Sequence, residues 1–388
     1  MLSQVYSLPS LIRDAARPFD DVARETLDHD LCLSLKRIFV AGCGDSHHAS
    51  IGTELAFEAL TGLPVEPMTA LQFARYAAGY LPKTGPKTNL VIGLSVSGAV
   101  SRTKEALRLA REAGATTVAL TATPGSVVAN AAELIFMATT APFPDPPGVH
   151  TPGVRSYLAS QLGLLYVAVR IGEVRGHLST AAADAVRKEI LALADAAEKT
   201  MAACDKPARQ LTEEWKDAQE FVFVGGGPNF ATAIFSAAKV LEASGDPALG
   251  QETEEWAHLQ YFAKTANTPT FIITAGDRDL SRAVEVAVAA KAIGRRVVAV
   301  CPQSAAGVRE SAARVLPLAD GVREMFSPLI ASIPGELFAA HRADVIGEPF
   351  FRNFGGGRSD EGGGGISRIR TSETWERLQQ GETLCLKK

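Results

Sequence analysis

Short apolar runs alternate with amphipathic segments along most of this 388-residue chain. Runs with the length and composition of buried strands begin at about residues 37, 65, 90, 116 and 133, and helical segments separate them. Because strand, helix and strand follow one another repeatedly, the pattern predicts an α/β fold in which helices cover both faces of a parallel sheet.

The pattern occurs twice, at an offset of about 180 residues. Residues 220–229 resemble residues 37–46, and residues 268–300 resemble residues 89–120. A repeat of this length corresponds to a whole supersecondary unit. We therefore expect two tandem doubly wound parallel-sheet units of flavodoxin-like topology.

The expected divisions are an N-terminal helical segment 1–36, a first unit 37–175, a helical linker 176–216, a second unit 217–345 and a tail 346–388. Glycines cluster in the tail, and such a composition does not favour fixed structure. The tail is therefore expected to be flexible. A hinge of this kind could also let it fold over a site as a lid.

Hydroxyl groups and a glycine follow the third predicted strand, at Ser95, Val96, Ser97 and Gly98, and an amphipathic helix is predicted over 104–113. The first turn of a helix leaves backbone N–H groups unpaired, so this junction can bind an anion. A glycine lets the backbone approach the anion closely. The alternative is that Ser97 only caps the helix, and the sequence leaves both readings open.

A second glycine-rich junction, Gly42–Ser46, follows the first predicted strand. In the second unit the segment equivalent to Ser95–Gly98 contains Ala275, Gly276 and Asp277. An aspartate there would fill an anion site with the protein's own charge. We therefore expect one working anion site per chain, in the first unit.

The composition is that of an ordinary globular protein, with 21% charged residues and a formal net charge of −4. No basic excess indicates a nucleic-acid or membrane partner. The chain has no signal-peptide pattern and no apolar run of about 18 residues, so a cytoplasmic location without a membrane span is expected. The five cysteines lack metal-ligand spacing, and His47 and His48 have no evident third ligand, so no metal is expected.

These motifs together resemble the sugar isomerase (SIS) family. The GCGDS sequence after the first strand and SxSG after a later one, in two tandem units, are similar to the isomerase half of glucosamine-6-phosphate synthase and to related sugar-phosphate isomerases and deaminases. The opening segment 4–9 also resembles the start of that half. The resemblance implies that Ser46, Ser95 and Ser97 hold a sugar phosphate, with backbone groups of Cys43 and Gly44 near the sugar.

The resemblance also assigns the chemistry. Residues 238–244 resemble the family helix that carries the base, which makes Glu242 the carboxylate that moves a proton between C1 and C2 and Lys239 its cationic helper. His258 matches the histidine that opens the sugar ring and that the neighbouring subunit supplies, which implies a homodimer. From spacing alone, Lys239 and Glu242 would be an exposed ion pair and His258 a structural histidine.

The chain departs from the family pattern at several positions. Val96 and Val100 replace a glutamine and a threonine that contact the phosphate, and Asp45 replaces a threonine. The family's C-terminal lysine corresponds to Arg368, an arginine that can clamp an anion but cannot act as an amine nucleophile. No glutaminase half precedes the isomerase segment, so glutamine-dependent synthesis by this chain alone is not expected.

The sequence therefore predicts an aldose–ketose isomerase, or an amino-sugar-phosphate deaminating isomerase, that acts on a hexose phosphate without metal or organic cofactor. A partly buried carboxylate beside a lysine suits proton transfer between neighbouring carbons. Two alternatives stay open. One is a sugar-phosphate binding or sensing protein without chemistry, and the other is an isomerase of a different acidic sugar, either sulfonated or carboxylated.

Overall fold

A computed structural model describes residues 1–144, 149–365, 371 and 376. The first sheet has five parallel strands in the order β2-β1-β3-β4-β5. Every residue of β3 is buried, as expected for an apolar strand covered on both faces. The strands are β1 (Arg37–Gly42), β2 (Val65–Thr69), β3 (Asn89–Leu94), β4 (Thr116–Thr121) and β5 (Leu134–Met137).

The second sheet repeats this arrangement, with five parallel strands in the order β7-β6-β8-β9-β10. Both orders reduce to 2-1-3-4-5, the doubly wound topology in which ligands bind at the carboxyl ends of the first and third strands. The predicted repeat is therefore confirmed. The strands are β6 (Phe221–Gly225), β7 (Ala248–Glu252), β8 (Pro269–Ile273), β9 (Arg296–Cys301) and β10 (Arg314–Pro317).

Helices cover both faces of each sheet, and one large apolar core joins the inner faces of the two sheets. Smaller clusters lie on the outer faces. Among the described residues, no helix has both the length and the apolar character needed to cross a membrane. The α-helices are α1 (Leu2–Tyr6), α2 (Leu8–Thr26), α3 (His29–Ser34), α4 (Asp45–Thr61), α5 (Ala70–Gln72), α6 (Ser101–Glu112), α7 (Arg155–Val174), α8 (Thr180–Glu214), α9 (Pro228–Ala243), α10 (Thr253–His258), α11 (Leu280–Ala292), α12 (Ala306–Ser311) and α13 (Pro328–Ile346).

The first helix of each unit packs against its counterpart, α4 against α9. Helix α4 starts at the carboxyl end of β1, because Gly44 adopts the positive φ of +54° that lets the chain turn from strand into helix. Helix α13 packs along α9 on another side. The start of α4 and the last turns of α9 therefore meet near the centre of the molecule.

Two helix boundaries differ from the sequence-based expectation. Helix α6 begins at Ser101, with Val100 as its N-cap, so Ser97 does not cap it. Ser95–Gly98 forms a separate turn between β3 and α6, held by the Gly98 N–H donating to the Ser95 carbonyl over 3.0 Å. The helical connection between the units is two helices, α7 and α8, because the chain turns at Gly176, where φ is +70°.

Candidate active site

The contact between α4 and α9 contains a lysine held by two carboxylates. The Lys239 ammonium donates to Asp45 Oδ2 over 2.7 Å and to Glu242 Oε2 over 2.5 Å. The lysine side chain is 0% exposed, whereas those of Asp45 and Glu242 are 28% and 30% exposed. The pair at 239 and 242 is therefore not the solvent-exposed ion pair that its spacing alone favours.

The surroundings of Lys239 keep it charged. Burial acts to lower its pKa, but the Asp45 and Glu242 carboxylates outweigh burial and raise that pKa. The ammonium also lies 4.9 Å from the centre of the Phe235 ring, which stacks on Tyr157 at 3.6 Å. A cation over an aromatic face gains further stabilisation. Lys239 therefore carries a positive charge that is fixed in place by its two carboxylate partners.

A cavity of about 660 Å³ opens onto the two carboxylates. Asp45 and Glu242 line one side of it, and residues of the loop 149–153 and of the segment 351–365 line the rest. Lys239 is not among the described residues that line it. The lysine therefore contacts the carboxylates on the side that faces away from the cavity.

Two residues at this site, His150 and Arg358, were missed by sequence reasoning. His150 lines the cavity and packs edge-on against Phe354, with ring centres 5.2 Å apart. Arg358 also lines it. Their flanking residues are rich in proline or glycine and have no periodic pattern, so no signal in the sequence points to them. His48 lies beside Asp45, and burial lowers the pKa of this histidine to about 4, which keeps it neutral.

The Ser95–Gly98 turn has the properties of an anion site. Ser95 is 2% exposed, and its hydroxyl oxygen has no hydrogen-bond partner among the described residues. A buried polar atom without a partner calls for an explanation, and a bound oxyanion would supply one. Ser97 is exposed and Ser46 half-buried, at the two neighbouring strand ends. The Val96 side chain is half-buried, and its carbonyl accepts from the Thr121 hydroxyl at 3.2 Å.

In the second unit a carboxylate occupies the equivalent place, and it belongs to Asp279. The Thr274 hydroxyl donates to Asp279 Oδ1 over 2.6 Å, and the Gly226 N–H also hydrogen-bonds to this carboxylate. Burial raises the pKa of Asp279, although these hydrogen bonds oppose the effect. The sequence-based choice of Asp277 was wrong, since that side chain is exposed.

The structure leaves His258 apart from this group. His258 ends α10, is 67% exposed, and lies 3.0 Å from Glu254 Oε1. It is not among the described residues that line the cavity. Arg368 lies outside the described residues. Cys43 lies next to Gly44 at the end of β1, and burial raises the pKa of its thiol, an effect that the charge of Arg102 partly offsets.

The two doubly wound units pack together through their first helices, with a hydroxyl-bearing turn in one unit and a lysine–carboxylate group at the junction. This arrangement is similar to the one that the SIS resemblance implies. The SIS domain family model matches residues 33–164, which contain the first sheet and the turn. The second sheet has the same strand order. The first unit is therefore an SIS domain, as its motifs predict, and the second unit has the same topology.

Proteins related to this chain in sequence are named isomerizing aminotransferases. The glutamine–fructose-6-phosphate aminotransferase (isomerizing) of Gloeobacter violaceus is 28% identical over 353 residues, which cover 88% of this chain and 55% of that protein. The same-named protein of Halobacterium salinarum is 26% identical, over 90% of this chain and 57% of its own length. The chain thus spans little more than half the length of these relatives.

Solved structures confirm the fold. The C-terminal domain of glucosamine-fructose-6-phosphate aminotransferase from Francisella tularensis matches with a TM-score of 0.75 at 19% identity, over 89% of this chain and 96% of that one. Tagatose-6-phosphate ketose/aldose isomerase from Escherichia coli matches with a TM-score of 0.70 at 14% identity, over 90% and 94%. At these identities the likeness establishes the architecture.

Proposed function

We propose that the protein is an aldose–ketose isomerase, or an amino-sugar-phosphate deaminating isomerase, that acts on a hexose phosphate. The observation that carries this proposal is the buried Lys239 held between Asp45 and Glu242 at the wall of a cavity. The names of the relatives, which are isomerizing aminotransferases and a ketose/aldose isomerase, support the same class of reaction.

In this proposal Glu242 is the base. Its carboxylate takes a proton from one of the carbons C1 and C2 and returns it to the other, and negative charge develops on the sugar oxygens as the first carbon is deprotonated. Lys239 holds the carboxylate in place and supplies a fixed positive charge behind it. The anionic group of the sugar binds at Ser46, Ser95 and Ser97.

Ring opening requires a second acid–base group. By resemblance this is His258 of a partner subunit, which would make the active protein a homodimer. Within one chain, His150 is the histidine that lines the described part of the cavity. Histidine is a common general acid–base group in enzymes, so either residue suits the role chemically. Turnover of His258→Gln and of His150→Gln distinguishes the two candidates, because only the variant that removes the ring-opening group should lose turnover.

The decisive experiment is proton NMR of the protein with fructose 6-phosphate and with glucosamine 6-phosphate in deuterated water. We expect exchange of the C1 or C2 hydrogen and formation of product. Glu242→Gln should retain sugar-phosphate binding and slow turnover by about 10²–10⁴-fold, the usual contribution of a general base. Glu112→Gln, in an exposed pair with Arg108, is the matched control. Undiminished turnover by Glu242→Gln would overturn the assignment.

The polar side chains missing at Val96 and Val100 favour a second candidate, an isomerase of another acidic sugar. A sulfonate or carboxylate carries less charge than a phosphate dianion and needs fewer donors. Competition of such sugars against fructose 6-phosphate tests this candidate. Binding without any hydrogen exchange would instead identify a sugar-phosphate sensor.

A further inference from the structure

A buried carboxyl group lies behind the lysine–carboxylate group, on helix α13. Glu336 is 1% exposed, and α13 packs directly on α9, the helix that carries Lys239. Its Oε2 atom has no hydrogen-bond partner among the described residues, while Ser332, one turn earlier, hydrogen-bonds to the carboxyl group. A buried carboxylate with an oxygen left unsatisfied is costly, whereas a carboxylic acid is much less so.

The charges around Lys239 lead to the same conclusion. Asp45, Glu242 and Glu336 all act on this one ammonium, so three ionised carboxylates would leave an excess of two negative charges in the interior. Asp45 and Glu242 reach the cavity and its solvent, but Glu336 does not. The proton is therefore held at Glu336, the site where ionisation is least favourable.

The other groups near Glu336 do not supply the missing positive charge. Tyr157 of α7 is completely buried, and burial raises the pKa of its phenol well above the usual value, so it stays neutral. Helix α8 also packs on α13, but its charged residues there pair further along, Asp205 with His341 and Arg209 with Asp344. Lys239 is the cation that acts on Glu336.

We propose that Glu336 is a positioning residue whose carboxyl group holds a proton behind Lys239 and, by losing it, weakens the support that the lysine gives to Glu242. This inference rests on the proposed function. With the proton in place, Lys239 is shared by two carboxylates. Once Glu336 ionises, a third negative charge competes for the ammonium and opposes the charge that develops on the sugar.

The expected pH dependence follows from the titration of Glu336. Burial raises the pKa of Glu336 to about 7, with the Lys239 charge and the Ser332 hydrogen bond acting the other way and Asp45 adding to the rise. The value of kcat should therefore fall as the pH rises through about 7. In Glu336→Gln, which keeps the shape but cannot ionise, this fall should be lost.

The test compares Glu336→Gln with Glu324→Gln, a second buried carboxyl at 7% exposure that pairs with Arg278 in the loop between β8 and α11. The pH profile of kcat is measured for both variants and for the wild type. Only Glu336→Gln should lose the inflection. An inflection that persists in Glu336→Gln, or that Glu324→Gln also removes, would overturn the inference.

A second readout does not depend on turnover. In infrared difference spectra of wild type minus Glu336→Gln, the C=O stretching band of a protonated carboxylic acid should be present at about pH 5 and absent at about pH 9. If this band titrates but the protein turns over no sugar, the proposed function is wrong, whereas the protonation of Glu336 is confirmed. If the band never appears, the inference fails whatever the activity.

Discussion

At the scale of single residues, the environment of Lys239 decides its role. The same three-residue spacing to Glu242 on a surface helix would be a weak, solvated ion pair. Here the ammonium is completely buried and a second carboxylate, Asp45, reaches it from the other unit. The threonine-to-aspartate departure in the first loop thus gains a physical explanation, because Asp45 compensates a charge that burial would otherwise make costly.

Lys239→Met tests this balance. Removal of one member of a buried ion-pair group is expected to lower the free energy of unfolding by about 3–5 kcal/mol, because two carboxylates are left close together without a cation. The loss should shrink at low pH, where the carboxylates bind protons and no longer repel one another. Urea unfolding at several pH values measures both effects.

The control is Arg13→Gln, which removes an exposed pair with Asp195 and Glu198 and should change stability little. Equal losses in the two variants would show that the Lys239 group stabilises the fold no more than a surface pair does.

A buried acid also makes stability depend on pH. The pKa of Glu336 is raised to about 7, above the usual value for glutamate, so the folded protein binds this proton more tightly than the unfolded chain. Its contribution to stability is complete below the unfolded pKa and is lost as the pH rises through about 7. The Tm of the wild type should therefore fall relative to that of Glu336→Gln between about pH 5 and about pH 8. A constant difference in Tm would contradict a titrating Glu336.

At the scale of elements, the turn between β3 and α6 is the feature in which the first unit differs from the second. Gly98 has a φ of +63°, and a β-carbon there would lie 2.0 Å from the Ser126 hydroxyl oxygen. The turn can therefore keep its shape only with glycine at this position. In the second unit the equivalent loop closes around Asp279, so the same strand–turn–helix element binds its own carboxylate there.

Gly98→Ala should weaken sugar-phosphate binding and lower stability by more than about 1 kcal/mol, because backbone strain and a steric overlap add together. Gly114→Ala is a matched control: φ is +86°, yet no atom lies within 4 Å of the added carbon. The difference between the two variants isolates the contact with Ser126. Calorimetric titration with fructose 6-phosphate and thermal unfolding measure the two quantities, and equal binding by both variants would argue against an anion site at this turn.

At the scale of the whole molecule, the surface beside His258 suggests contact with another chain. Leu259, Tyr261 and Phe262 follow this histidine and are 59%, 42% and 75% exposed. Apolar side chains grouped in this way are typical of an interaction surface. A second copy placed there would cover them, in agreement with the proposed homodimer.

Mixed dimers test this arrangement. If each site combines Glu242 of one chain with His258 of the other, co-expressed Glu242→Gln and His258→Gln chains form heterodimers with one intact site. Random pairing should then restore about a quarter of the wild-type activity. If both residues act within one chain, the mixture should be no more active than the separate variants. Differently tagged chains allow the heterodimer to be purified and measured alone.

Much of this architecture was encoded locally. The periods of the apolar residues and the internal repeat determined the two doubly wound units, since a buried strand and an amphipathic helix are each recognisable from a few neighbouring positions. The strand–helix junctions Gly42–Ser46 and Ser95–Gly98 were predictable for the same reason. Lys239 and Glu242 could be nominated only through their resemblance to a family helix.

Tertiary structure decided the burial and the long-range contacts of the charged residues, which neighbouring residues in the sequence do not determine. Whether Lys239 is solvated or buried depends on the packing of α9 against α4 and α13, elements far apart in the chain. The same packing brings Asp45 and Glu336 to the lysine from two different directions. The inward turn of Asp279 in place of Asp277 depends likewise on Thr274 and Gly226 across the sheet end. Charge and burial act through space, so only the folded chain determines which of its carboxyl groups holds a proton.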